Sequence, residues 1–397
     1  MSKIRVENLT KIFGSNPARG LELLRKGKSK DEIFKKTRQS VGISDVSFEV
    51  EEGEILVVMG LSGSGKSTLV RCINRLIEPT AGKVILDGQD LGALSARELR
   101  EVRLQKLGMV FQNFALFPHR TVLHNAEYGL EIQGVNANER EEKARASLER
   151  VGLKGWENAY PKQLSGGMQQ RVGLARALAL DPDILLMDEA FSALDPLIRR
   201  DMQDELIVLQ EEMQKTIVFI SHDLDEALKL GDRIVLMKDG KVVQVGTPED
   251  ILTNPANTYV ERFVEDVDIS KVLTAESVMK KSEAVAYLKT DGPHAALRKM
   301  KSNAISWLFV VDKERWLVGV VSAEDTAELV KQGSRDLTPI INKEITTVTL
   351  DTPAIELFEL LKDIPHPLAV VDEKNRLSGV IIRGLLLAAI AERGGQA

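Results

Sequence analysis

ILVVMGLSGSGKST, residues 55 to 68, sets an unbroken apolar run directly against a loop built almost entirely of glycine and serine. An apolar run without polar alternation reads as a strand covered on both faces, the habit of parallel sheets. The loop GLSGSGKST (60 to 68) fits G-x-x-x-x-G-K-[ST]. Its glycines let successive backbone N–H groups curl round an anion without a Cβ in the way, and the helix beginning here turns its positive end to the same point. On this reading Gly60, Ser62, Gly63, Ser64, Gly65, Lys66, Ser67 and Thr68 cradle the phosphates of a nucleotide. Lys66 reaches the β and γ phosphates, and Ser67 ligates Mg²⁺.

Further apolar runs, MVF (109 to 111), ILLM (184 to 187) and IVFI (217 to 220), alternate with helical patterns over 140–152 and 167–180. The alternation predicts an α/β fold with a mostly parallel sheet. Polar groups follow the runs: Gln112, then Asp188 with Glu189, then His222 one serine later. Ligands of parallel sheets bind beyond the carboxyl ends of the strands, so these groups are expected to converge on one edge with the Gly60 loop. Asp188 then holds Mg²⁺ through its water shell, and Gln112 joins Ser67 and Asp188 at the metal while sensing the γ-phosphate. Glu189 orients or deprotonates the attacking water, and His222 hydrogen-bonds the γ-phosphate. Singly, each has a plainer reading as a helix cap or a hydrogen-bonded strand end; the loop is what unites them.

A second anion grip stands about a hundred residues on. In LSGGMQQR (164 to 171), Ser165 can cap the helix that follows, and the Gly166 and Gly167 amides lie at its positive end. A plain cap needs the serine and not two glycines. Val172, Ala175 and Leu178 share one face of that helix.

The remainder of the chain bounds the reading. At 397 residues more than one domain is expected, and 43% hydrophobic with 28% charged residues is a soluble, globular composition. A formal net charge of −6 gives no reason to expect nucleic acid as a partner. The single cysteine, Cys72, excludes an intramolecular disulfide and suits a reducing cytoplasm. The opening MSKIRVENLTKIFG lacks the apolar core of a signal peptide, and VIIRGLLLAAIA from Val380 is too short to span a membrane and is broken by Arg383. Residues 15–40 read as an insertion with eight Lys/Arg against three Asp/Glu, a solvated basic helix or a docking surface for a partner or lipid. From about residue 270 a repeat appears with a constant offset of 60 residues: Asp291, Leu308, Val310, Val311, Asp312, Leu317 and Gly319 recur as Asp351, Leu368, Val370, Val371, Asp372, Leu377 and Gly379. Each copy reads helix, strand, polar turn, strand, helix.

Taken together, GLSGSGKST, Gln112, LSGGMQQR, ILLMDE, SALD (192 to 195) and His222 resemble the nucleotide-binding subunit of ATP-binding cassette (ABC) transporters over residues 1–265. The resemblance implies a P-loop ABC ATPase domain with a helical subdomain, ATP and Mg²⁺ as its ligands, and a head-to-tail homodimer. In such a pair Ser165 and Gly167 of one copy, with Gly166 between them, grip the γ-phosphate of ATP seated on the Gly60 loop of the other. Asp195 falls at the seam. The family stacks adenine on an aromatic near the end of the first strand; Phe13 is the best match, and Phe34 in the insertion stays open.

A closer likeness covers nearly the whole chain. The insertion, NRLIEPTAGKV, MDEAFSALDPLIRRDMQDEL, SHDLDEAL and LTNPAN resemble the ATPase subunits of osmoregulatory glycine betaine/proline importers. This implies integral-membrane permease partners, a substrate-binding protein or domain, and a place on the cytoplasmic face of the cell membrane; residues 114–130 would form part of the groove for a permease coupling helix. An importer for another substrate, such as an amino acid or a metal chelate, keeps the same chemistry. A soluble ABC ATPase of DNA repair or translation is the more distant alternative.

The repeat resembles a tandem of cystathionine-β-synthase-type (CBS) domains, expected at 272–333 and 334–393. These often bind adenine nucleotides or cyclic dinucleotides through G-h-x-[ST]-x-x-[DN]. Copy one keeps this pattern in GVVSAED, with Ser322 and Asp325; copy two places Ile382 and Leu385 there. A regulatory module, a structural dimerisation unit and a vestigial domain all remain open.

Overall fold

The computed structural model describes residues 2–265, 273–281, 284–362, 364–384 and 386. The chain divides into two units, Met1–Val264 and Glu265–Ala397. The first holds ten strands: β1 (Ser2–Phe13), β2 (Ser40–Glu51), β3 (Ile55–Met59), β4 (Ala81–Leu86), β5 (Gln89–Asp90), β6 (Leu107–Phe111), β7 (Ile184–Asp188), β8 (Thr216–Ser221), β9 (Arg233–Lys238) and β10 (Lys241–Gly246).

Six strands form one sheet in the order β10-β9-β3-β8-β7-β6. Its pairs are parallel except β9–β10, which closes one edge antiparallel. Every residue of β3, β7 and β8 is buried, which is why these runs carry no polar alternation. Val57, Met59, Leu185 and Phe219 pack to one side with Val172, Ala175 and Leu178 of the helix Gly166–Leu178. Leu56, Val58, Leu186 and Val218 pack to the other with Leu69, Val70 and Ile73 of the helix Lys66–Ile73. Each such buried side chain contributes roughly 1.5–3 kcal/mol by leaving water. The same second core takes residues of the antiparallel sheet β2-β1-β4-β5, which lies under that helix. Cys72 is buried there too, and burial pushes its thiol up to about 11, so it stays protonated and unreactive.

The insertion folds as two helices, Pro17–Arg25 and Lys30–Thr37, where the sequence reads as one basic helix. Gly27, at φ +76°, makes the break, and Ser29 restarts the chain through a reciprocal cap with Glu32. Ile33 is fully buried against Ile12 and Val41, so the pair is fastened to β1 and β2 by its own small core.

In the second unit β11 (Ala286–Tyr287), β12 (Trp307–Val311) and β13 (Leu317–Ser322) make one three-stranded sheet, and β14 (Thr347–Val348), β15 (Leu368–Val371) and β16 (Leu377–Ile381) another. Register confirms the duplication. Val310 faces Gly319 and Val311 faces Leu317 across a bulge; sixty residues on, Val370 faces Gly379 and Val371 faces Leu377 across the same bulge. The turns after β12 and β15 pair with one another, Leu317 N donating to Asn375 O (3.2 Å) and Leu377 N to Arg315 O (3.0 Å). A Cβ on Gly319 would stand 2.5 Å from Asn342 O, a clash with backbone that only glycine avoids, and one on Gly379 would stand 2.5 Å from Met279 Sδ, so that the methionine would have to shift. No helix among the described residues is long and apolar enough to cross a membrane.

Candidate functional site

Register in the parallel sheet decides which chain ends meet. Met59 pairs with Ser221, Ile220 with Asp188, and Asp188 with Phe111. The residues that follow these strand ends, Gly60, His222, Glu189 and Gln112, are therefore delivered to one edge of the sheet. Gly60 lies at φ +146°, and a Cβ there would come within 2.2 Å of Met237 O; Gly65, at φ +100°, would drive one to 2.6 Å from Gly42 O. The loop is wound so tightly on its neighbours that only glycine serves at these two positions.

A cavity of about 690 Å³ opens above the loop, lined by Ser62, Gly63, Gly65, Lys66, Ser67 and Thr68 together with Glu189, His222 and Phe13. Gly60 and Ser64 are the exceptions within the motif: neither lines the cavity, and Ser64 is 4% exposed, its Oγ lying under the loop beside Gly60, so that only its main chain serves the turn. Phe13 pairs with Ser40 across β1 and β2, and Gly42 leaves its ring room, since a Cβ there would be 2.8 Å from Phe13 Cε2. Phe34 does not line the cavity; it lies on the second insertion helix with Arg38 over its ring.

Inside the cleft, Lys66 Nζ donates to Gly60 O (2.7 Å) and Leu61 O (3.3 Å). Burial lowers its pKa, against which Glu189 and Asp188 pull upward. Ser67 Oγ donates to Asp188 Oδ1 (2.9 Å), so the hydroxyl and carboxylate expected to share a metal already touch. Arg71, not singled out in the sequence, stands one helical turn after Ser67 and brings Nη2 to 3.4 Å from Asp188 Oδ2. Gln112 Nε2 donates to Glu189 Oε2 and to Ser192 Oγ, both at 3.2 Å, and His222 Nδ1 lies 3.5 Å from the same Glu189 oxygen. Glu189 itself has φ +48°. A side chain held in the left-handed region costs about 1–2 kcal/mol, a strain that turns this carboxylate out of the strand direction toward the cleft.

These residues suit Mg²⁺: one hydroxyl, one carboxylate and open space for water and phosphate oxygens are what this ion takes. Among the described residues no group of three or more His, Cys, Asp or Glu forms a closed metal cage.

Ser165, Gly166 and Gly167 line no part of this cavity. Ser165 caps the helix Gly166–Leu178, accepting from Met168 N (3.3 Å), and is exposed together with Gly166. Gly167 has a packing reason of its own, because a Cβ there would meet Ile198 Cγ2 at 2.5 Å. Ile198 belongs to the helix Pro196–Met213, capped by the exposed Asp195 through Ile198 N (3.1 Å). The two segments expected at a dimer seam are thus neighbours on one surface. The loop after Gln112 is held from behind by Arg176, which donates to Ala115 O (2.6 Å) and Phe114 O (3.0 Å), and by the buried Asn125 side chain.

In the second unit Ser322 and Asp325 are engaged with each other: Ser322 Oγ donates to Asp325 Oδ2 (2.6 Å) and accepts from Asp325 N (3.0 Å) as a helix cap. A cavity of about 570 Å³ lies instead beside the second copy's motif, lined by Ile305, Trp307, Ile364, His366, Ile382 and Arg383 among others. Leu385 lies outside the described residues.

Residues 43–192 match the ABC transporter family, and residues 275–331 and 335–392 match the CBS domain. The chain is 59% identical over 389 residues to the glycine betaine transport ATP-binding protein OpuAA of Bacillus subtilis, covering 98% of this chain and 92% of that one. It is 57% identical to the glycine betaine/carnitine transport ATP-binding protein GbuA of Listeria monocytogenes, covering 98% of each. Among solved structures it is similar to the dimeric ABC transporter cassette MJ0796, at 35% identity and a TM-score of 0.52, over 62% of this chain and 98% of that one. The same cassette is also known as a post-hydrolysis dimer bound to ADP and Pi, with 34% identity and a TM-score of 0.52 over the same shares. With its phosphate loop, its second glycine pair and its duplicated C-terminal unit in this order, the chain belongs to the ATP-binding subunits of ABC transporters that carry a tandem CBS module.

Proposed function

We propose that two copies of this chain share a pair of ATP sites and use ATP hydrolysis to drive import of glycine betaine, or a related quaternary-amine osmolyte, through separate membrane permease subunits. One observation carries the sharing. Lys66, Ser67, Glu189 and His222 gather on one cleft, while the exposed Ser165 and Gly166 sit at a helix N-terminus outside it. A cleft of these residues alone is half a site. Ser165 and Gly167 of the second copy would complete it, with Asp195 at the seam and adenine on Phe13.

Ser67 and Asp188 would hold Mg²⁺, which would supply positive charge against the phosphate oxygens. Lys66 adds a second cation at the β and γ phosphates. Water attacks the γ-phosphorus and the bond to ADP breaks; Glu189 takes the water's proton, while Gln112 and His222 fix the direction of its carboxylate. The identity with glycine betaine transport subunits favours that cargo, delivered by a substrate-binding protein or domain, and a place at the cytoplasmic face of the membrane.

Complementation tests the shared site. A Lys66→Ala chain and a Gly167→Asp chain should each be inactive alone, yet a mixed dimer holds one site with neither lesion. Turnover at about a quarter to a half of wild type is expected in the mixture. If no activity returns, each copy owns its site.

A regulatory reading for the second unit rests on its cleft, where Trp307 meets His366 edge to face at 5.7 Å above an apolar floor. Stacking surface of this kind suits a nucleotide or cyclic dinucleotide base. With permease subunits reconstituted, betaine uptake measured against internal salt, with and without a purine cyclic dinucleotide, should respond differently in Trp307→Ala. An identical response would discard this regulation, and uptake indifferent to betaine would discard the cargo.

A further inference from the structure

His222 is set between two residues whose side chains both turn inward. Ser221, 1% exposed, donates through Oγ to Glu226 Oε2, and its Oγ accepts from Asp223 N (3.0 Å). Glu226 is 7% exposed, and its other oxygen accepts from Gln203 Nε2 (3.1 Å). Gln203 belongs to the helix Pro196–Met213, the one that Asp195 caps. A second tie runs beside the first. Arg199, on the same helix, places Nη1 3.5 Å from Asp223 Oδ2 and donates Nη2 to Leu194 O (3.1 Å) and Ser192 O (3.4 Å). Ser192 Oγ in turn receives Gln112 Nε2.

A buried carboxyl is a costly way to hold a turn unless its direction matters, because removing its partners leaves it unsatisfied. Here both of its oxygens are spent on the turn that carries His222 and on the helix that begins at the seam. We propose that Glu226, with Arg199, is a positioning residue for His222: it fastens the His222 turn to the SALD segment, so that docking of a second copy against Asp195 sets the imidazole against Glu189. The inference rests on the shared-site reading above, in which Asp195 lies at the seam and His222 fixes the direction of the Glu189 carboxylate. It adds the two buried ties by which one would act on the other.

The test is made on the full chain. Glu226→Ala is expected to lower kcat at least 10-fold with KM for ATP within twofold of wild type, since the phosphate loop is untouched. Glu226→Gln, whose carboxamide oxygen still accepts from Ser221, should stay within threefold of wild-type kcat. Arg199→Ala, which spares the Glu226 bonds, should also lower kcat and not KM. The chain has five histidines, so the imidazole resonances can be followed individually by NMR. In Glu226→Ala and Arg199→Ala the His222 signal should shift while the other four hold.

An unmoved His222 signal in folded Glu226→Ala and Arg199→Ala overturns the proposal, as does a rise in KM alone. If Glu226→Ala does not fold, Arg199→Ala carries the same decision. A shifted His222 signal with kcat unchanged would instead leave the ties in place and refute the catalytic reading of His222, so the two failures are distinguishable.

Discussion

Replacing Glu189 by glutamine is expected to cut ATP turnover by about 10²- to 10⁴-fold, the range a positioned general base supplies. The carboxamide has the same size and length, and it preserves the hydrogen-bonding reach toward Gln112 and His222. It cannot take a proton from water. Lys66, Ser67 and Asp188 are unchanged, so ATP binding and the metal-side contacts survive while hydrolysis does not. The γ-phosphate, the group both copies would touch, then persists. Glu189→Gln should therefore elute with ATP and Mg²⁺ as a dimer under conditions where the wild-type chain returns to monomer. Turnover within threefold of wild type would remove Glu189 from this role.

Lys66→Ala acts at the opposite end of the same chemistry. Lys66 is 5% exposed, its ammonium is tethered to the Gly60 and Leu61 carbonyls, and it is the cation of the phosphate loop that faces the two carboxylates. Without it, Asp188 and Glu189 repel the phosphates across a partly dry cleft. A hydrogen bond to a charged group is worth about 1.5–3 kcal/mol, so ATP should bind about 10- to 150-fold more weakly. Titration calorimetry against Mg-ATP reads this directly. The backbone of the loop is set by Gly60 and Gly65, not by the lysine, so the variant should remain folded. Unchanged affinity and turnover would count against the loop as the nucleotide site.

Much of this site is legible in the chain because its information is local. Burial on both faces of β3, β7 and β8 writes itself as apolar runs, and each run ends on the residue that the sheet delivers to the ligand edge. Glycine marks the two loop positions where a Cβ would strike Met237 O or Gly42 O. The sixty-residue repeat likewise predicts two matching strand pairs, and the identical bulges confirm them.

Other features have no local signature. The insertion reads as basic, but its break at Gly27 and its anchoring through Ile33 depend on what it packs against. Ser64 looks like its neighbours in the motif, and only the course of the loop turns its hydroxyl inward. Gly167, which the sequence assigns to a phosphate alone, also makes room for Ile198, thirty-one residues away.

The sequence by itself determined the parallel sheet, the phosphate loop, the order of the polar strand ends and the duplication, because strand burial and glycine conformations are properties of a few consecutive residues. Only the tertiary structure decided that Phe13 and not Phe34 faces the cleft, that Arg71 joins Ser67 on Asp188, and that Glu226 and Arg199 tie the His222 turn to the SALD segment and the helix after it. Those outcomes depend on register between strands and on contacts between helices far apart in the chain, where the spacing of residues says nothing about which side chains meet.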